Sequence, residues 1–398
     1  MAYPASGQLP AYQTSQAPET GATVKIVALM LGIALPAVLG FALWSAASAN
    51  KARDDAKAAA AKVSTATASA TAPAMPGMAS ATSSAAAGAV ATPSFAGIAP
   101  ANADAIATAH RAYPAELPAL QPGPVVDVRL GISHRTVEVA PGIKYEAWTF
   151  GSAAPGPVIH VRQGQTVRIT LTNNAPMPHS VDFHAARVAP NVAFADVAPG
   201  KSFTFSFKAN DPGVYMYHCG TKPVLAHIAN GMYGAIVVEP KDGLMPKVDH
   251  QYVLVSGEWY LNSPGLDKPA QLDMVKADQM TPDWVTWNGY AGQYVKHPLT
   301  AMPGETVRFW VVDAGPSLNN DFHVVGTVLE RAWVNADLRD PPQRGIQTAL
   351  VPAGGGGVFD VKTDAPGLYP FVSHSFASVQ MGQVGLLKVG EVAGTMSH

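Results

Sequence analysis

The sequence predicts an all-β protein: two tandem Greek-key β-sandwich domains, preceded by one transmembrane helix and a disordered linker. Short alternating or β-branched runs such as TVRITLTNN, SFTFSFKA and GAIVVEP are punctuated by Gly, Pro, Asn and Asp. That spacing suits sandwich strands and gives little support to long helices. The chain also repeats itself. RQGQTVRITLTNN leading to VDFH in the first half matches MPGETVRFWVVDAG leading to NDFH in the second, and VAPGKSFTFSFKANDPGVYMYHC matches VPAGGGGVFDVKTDAPGLYPFVSH. Only 14% of residues are charged, against about a quarter in an ordinary soluble domain, and much of the deficit lies in the first hundred.

Taken in order, residues 1–25 are a short tail. Residues 26–46, IVALMLGIALPAVLGFALWSA, carry no charge and are long enough to cross a bilayer as a helix, in which Pro36 is tolerated. A cleaved signal sequence competes, because ASA at 47–49 has the form of a cleavage site. The run exceeds a signal core and only Lys25 flanks it closely, which favours a retained anchor. Lys51, Arg53 and Lys57 follow the span, so the positive-inside rule alone would turn it against export. Residues 47–103, rich in Ala, Ser, Thr, Pro and Gly, cannot bury a core and predict a flexible tether. The two domains follow at 104–240 and 241–391, with a tail at 392–398. A net charge of −2 supplies no basic patch and argues against nucleic acid as a partner.

The chain's only cysteine stands in YMYHCGTKPVLAHIANGM, residues 215–232. A single Cys forms no internal disulfide, which leaves a small buried hydrophobe or a metal ligand. A thiolate, two imidazoles and a weak thioether are the set that favours a blue-copper electron-transfer centre, and Cys219, His227 and Met232 supply three of the four. In an extended strand successive side chains face opposite ways, so His218 and Cys219 point apart. In MPHSVDFHAA, His179 takes one parity while Asp182 and His184 take the other. His179 is then the natural partner of Cys219, His227 and Met232, and His184 and His218 stand together with Asp182 on the other side, inviting a second metal. In the second half Val372 aligns with His218, Ser373 with Cys219, and His374 falls one position later. That half has lost the thiolate and holds one histidine.

PHSVDFHAA, YHCGTKPVLAHIANGMYG, FHVVG and VSHSF resemble the copper-containing nitrite reductases, over about residues 120–391. The short Cys-to-His spacing and HIANGMYG are similar to the subgroup that includes outer-membrane-anchored enzymes of pathogens. The resemblance implies two cupredoxin domains and two coppers per chain, a type 1 copper on His179, Cys219, His227 and Met232 and a type 2 copper on His184, His218 and His374. It implies Asp182 and His323 as the catalytic pair; the aliphatic Val325, two residues after His323, is expected to shape the pocket and orient nitrite. It further implies a homotrimer with the type 2 site between subunits, His374 coming from a neighbour. The activity implied is one-electron reduction of nitrite to nitric oxide and water. Electrons come from an external donor, a small cupredoxin or a cytochrome c, and pass through Cys219 and His218.

Other readings stand beside these. Three histidines also suit zinc, although a redox-inert metal has no use for an adjacent thiolate relay. Asp182 could orient a ligand histidine, and His323 could be an ordinary core residue. His160 reads as a plain strand residue, and His110, His134, His250, His297 and His398 match no ligand pattern. A membrane-tethered electron-transfer cupredoxin is the non-enzymatic alternative. A two-domain multicopper oxidase is the enzymatic one, against which the chain has no His-x-His and carries Gly220 directly after Cys219. The loop after DFHAA reads RVAPNVAFADVAPG where the family subgroup often has a glycine-rich run, which predicts a stiffer loop. The expected location is periplasmic, anchored in the inner membrane by 26–46, or soluble there after cleavage.

Overall fold

The computed structural model describes residues 92–392 apart from Asp242 and Leu244. The expected span at 26–46 and most of the expected tether lie outside the described residues, among which no helix is long and apolar enough to cross a membrane. In chain order the strands are β1 (Val125–Ala140), β2 (Ile143–Phe150), β3 (Ile159–Arg162), β4 (Thr166–Asn173), β5 (Asp182–Phe183), β6 (Ser202–Lys208), β7 (Gly213–His218) and β8 (Tyr233–Glu239). They continue with β9 (His250–Trp259), β10 (Trp284–Trp287), β11 (Leu299–Ala301), β12 (Thr306–Asp313), β13 (Asn320–Val324), β14 (Arg331–Trp333), β15 (Ala349–Val351), β16 (Gly356–Lys362), β17 (Gly367–Ser373) and β18 (Val384–Val389). Described helices are short, the Ala103–Ala109 helix having seven residues.

The sequence repeat reappears as strand order. The first half builds sheets β2-β1-β4-β6 and β3-β8-β7-β5, and the second builds β10-β9-β12-β16-β14 and β11-β18-β17-β13-β15, the same orders with one strand added at an edge. In each copy the first strand runs parallel to the fourth, as Val125 opposite Thr166 and His250 opposite Val307 show. Alternation along β4 turns Val167, Ile169 and Leu171 inward and leaves Arg168 outside, as a strand half exposed to water requires. These side chains join Phe183, Phe207 and Ile236 in the first core. Phe309, Phe322, Phe359 and Phe371 fill the second.

Between the copies lies a third apolar cluster. Val214 and Met216 of β7 and Ala235 and Val237 of β8 pack with Val253, Val255, Trp310, Val312 and Val358 of the second half. Strand β8 is therefore covered on both faces, which explains why GAIVVEP is an unbroken apolar run and not an alternating one.

One expectation needs correction. The tether was expected to reach residue 103, yet Phe95 is already packed: its N–H donates to Asp283 Oδ1 at 2.7 Å and its ring lies 4.3 Å from Lys276 Nζ. Composition averages over the single aromatic that anchors this stretch. The segment after the first helix also attaches to the second half, through Leu117 N–H to the Gln251 carbonyl and Val253 N–H to the Ala115 carbonyl.

Lys276 and Asp283 form an ion pair whose side chains are almost completely buried. Lys276 Nζ donates to both Asp283 oxygens and to the Leu261 carbonyl at 2.8–2.9 Å. Breaking one side of such a pair leaves an uncompensated charge in the interior. Lys276→Met is expected to lower unfolding free energy by about 3–5 kcal/mol, read by chemical denaturation, and an unchanged midpoint would show that water reaches Asp283.

Candidate metal centres

Cys219 follows β7 and is fully buried, as are His179, His227 and Met232. The short helix Val224–Ala229 carries His227. The chain then turns at Gly231, whose φ of +102° favours glycine and where a Cβ would lie 2.7 Å from that of Ala154. Cys219 N–H donates to the Met232 carbonyl at 3.0 Å and Met232 N–H to the His227 carbonyl at 3.2 Å, so the loop folds back on the cysteine.

Three donor atoms converge. Cys219 Sγ lies 3.2 Å from His227 Nδ1 and 3.8 Å from His179 Nδ1, and the two Nδ1 atoms are 3.1 Å apart. Their mutual spacings all fall within 4.8 Å, and the donor set of one thiolate and two imidazoles suits copper. Ser180 N–H also points at Cys219 Sγ, at 3.4 Å. His227 Nε2 is buried and meets no hydrogen-bond partner among the described residues.

Burial, with His227 and His134 beside it, pushes His179 down to about 3, and burial pushes His227 down to about 4. Both rings are therefore neutral and ligand-ready in the folded chain, whereas the unfolded chain takes up protons below about pH 6.5. Their stabilising contribution is complete above that pH and is lost as pH falls towards 4 and 3. The metal-free protein is expected to melt at progressively lower temperature from pH 6.5 to pH 4, and a flat Tm profile would show that these rings titrate freely.

On the opposite side of the same peptide, His218 meets His184. Their Nε2 atoms are 3.1 Å apart. His218 Nδ1–H donates to the Cys219 carbonyl and His184 Nδ1–H to the Gly354 carbonyl, each at 2.9 Å. With both Nδ1 atoms serving as donors, two Nε2 lone pairs face each other, an arrangement that a cation between them relieves. Burial lowers the His218 pKa, and its bond to the Cys219 carbonyl partly offsets this. Asp182 pairs with His218 in the strand register.

His374 is in a different place. It follows β17, exposed, its ring 4.9 Å from that of His323 and 4.9 Å from that of Phe376, edge to face with the latter. His374 N–H is held by the Asp321 carbonyl at 2.8 Å, and His323 Nδ1–H donates to the Gln347 carbonyl at 2.6 Å, leaving Nε2 outward. Val325, two residues beyond, is exposed. The described residues thus place His184 and Asp182 beside His218, and His323 beside His374. Ser373 takes the buried position that aligns with Cys219 and accepts the Asp321 N–H at 3.0 Å.

The loop after His184 contains the short helix Pro190–Ala193, and Arg187 on it makes two bonds to Asp211, at 2.6 and 2.7 Å. Two participants escaped sequence reasoning. Trp148 lies edge to face with both His227 and His179, at 4.9 and 5.5 Å between centroids. His134, set aside as matching no ligand pattern, places Nε2 3.1 Å from His179 Nε2. The available signal was parity, since His134 continues the inward series Leu130, Ile132 along β1.

A buried Cys-His-His cluster in a chain of β-sheets suits a cupredoxin-like copper protein. The family model for multicopper oxidases matches residues 132–243. The copper-containing nitrite reductase of Neisseria gonorrhoeae is 42% identical over 270 residues, 66% of this chain and 68% of that one. Among solved structures, the copper nitrite reductase from Nitrosomonas europaea aligns at 34% identity and TM-score 0.62, over 67% of this chain and 94% of its own. The copper-containing nitrite reductase from Thermus scotoductus aligns at 29% identity with the same TM-score, over 69% and 64%. The chain belongs to the copper-containing nitrite reductases.

Proposed function

We propose that the chain reduces nitrite by one electron to nitric oxide and water, and that it is built as two tandem Greek-key cupredoxin domains, 104–240 and 241–391. The observation that carries this reading is the single peptide joining Cys219, turned into the buried Cys-His-His cluster, to His218, turned towards His184. His179, Cys219, His227 and Met232 would hold a type 1 copper, and His184, His218 and His374 a type 2 copper. Copper at these positions supplies one-electron redox chemistry and a Lewis acid for an anionic oxygen ligand.

The protein's own residues do the rest. Burial of His179 and Cys219 excludes water from the electron-accepting side, and the Cys219–His218 peptide is the shortest covalent link to the substrate side. Turnover consumes two protons. Asp182, beside His218, and His323, whose Nδ1–H is fixed on the Gln347 carbonyl so that Nε2 can take up a proton and pass it on, would deliver them. Val325 narrows the pocket and orients nitrite. His323 and His374 share one edge of the second half whereas His184 and His218 belong to the first, which supports a homotrimer in which one copy's His374 completes another's site.

We further place the protein in the periplasm, anchored in the inner membrane by 26–46 and receiving electrons from a small cupredoxin or cytochrome c. Retention in the membrane fraction after carbonate washing would support the anchor, and release would indicate cleavage.

The central test is nitric oxide release, by electrode, from copper-loaded anaerobic protein given nitrite and a reduced dye. No release with both coppers present would leave the electron-carrier alternative. Asp182→Asn is expected to keep the visible thiolate-to-copper band while losing roughly a hundredfold in turnover, and full activity would remove Asp182 from proton delivery.

A further inference from the structure

We propose that His134 is a positioning residue for the type 1 centre: its Nε2 accepts the Nε2 hydrogen of His179, fixing that ligand's tautomer and strengthening it as a donor. The proposal deepens the reading above and rests on His179 being a copper ligand. His179 turns Nδ1 towards Cys219 and His227. A neutral ring that ligates through Nδ1 carries its proton on Nε2, and that nitrogen is 3.1 Å from His134 Nε2. Among the described residues the only group then offered to the His179 N–H is the His134 lone pair, so His134 is the acceptor and carries its own proton on Nδ1.

His134 is itself held in place. It is the cross-strand partner of Trp148 in the β1–β2 ladder, and the two rings stack at 5.0 Å and 9°. The same indole lies against His179 and His227. One aromatic therefore braces both ligand rings and the acceptor, and the rotation of His179 is set from two sides. An acceptor on a ligand's distal N–H raises the basicity of the ligating nitrogen. A more basic ligand favours the more highly charged oxidised ion, so His134 lowers the midpoint potential of the centre.

The test uses the copper-loaded full chain, titrated for the type 1 midpoint potential with the thiolate-to-copper band recorded. His134→Phe keeps a ring to stack on Trp148 and removes the acceptor, while His134→Gln retains a carbonyl acceptor. His134→Phe is expected to change the ratio of oxidised to reduced affinity about tenfold, a rise of about 59 mV for one electron, and to shift the band. His134→Gln is expected to stay nearer the parent. An unchanged potential and band in His134→Phe overturns the proposal, as do equal shifts in both variants, which would assign the effect to packing. His179→Ala separates the two levels: it is expected to abolish the band, and a retained band would overturn the ligand assignment itself and the proposal with it.

Discussion

His374→Ala and His184→Ala, each inactive alone, are expected to recover nitric oxide release when co-expressed in one cell. In the structure His374 sits with His323 on one edge of the second half, and His184 faces His218 on the first. If both histidines hold one metal, losing either removes several kcal/mol of metal-assisted stabilisation, at least about a thousandfold in turnover. If each site forms head to tail between copies in a closed ring, random mixing leaves about one interface in four with both histidines intact. Mixed protein is then expected to show about a quarter of parental activity per trimer. No recovery, with both variants folded and co-assembled, would put all three histidines in one chain.

Cys219→Ala is expected to erase the visible band and to reduce dye-driven turnover at least about a thousandfold, while the half-site of His184 and His218 still binds copper. The side chain is fully buried and apolar on its inner side, so alanine is tolerated by the core at a modest cavity cost of about 1–2 kcal/mol. Electron paramagnetic resonance would separate the outcomes. A remaining type 2 signal without turnover supports the Cys219–His218 link, whereas undiminished turnover would mean that electrons reach the second centre by another route.

Much of this site was legible because side chains alternate along extended backbone, a rule that serves here although only Asp182–Phe183 of the stretch is strand. His179 and His184, five residues apart, were assigned to opposite sides from extended backbone alone, and the structure brings them to Cys219 and His218 respectively. Parity says nothing about a residue on another sheet edge, so His374 was reachable only through resemblance. His134 went unread for a different reason: a ligand's hydrogen-bond partner has no motif, and its place is decided by the β1–β2 register opposite Trp148. The overrun of the tether has the same character, since one Phe in a field of Ala and Pro changes a mean very little and a packing contact completely. The internal repeat was the surest fold signal because it draws on two stretches of chain, and both copies do have one strand order.

The covering of β7 and β8 by the second half has a consequence for how the two copies relate. Val214, Met216, Ala235 and Val237 would all meet water if the chain were cut after residue 240, and the liberated fragment would present an oily stripe along its central strands. The loop from Cys219 ends at Met232, and Tyr233 beside it lies in that same seam. The half without the thiolate thus shields the apolar strands of the half that carries it.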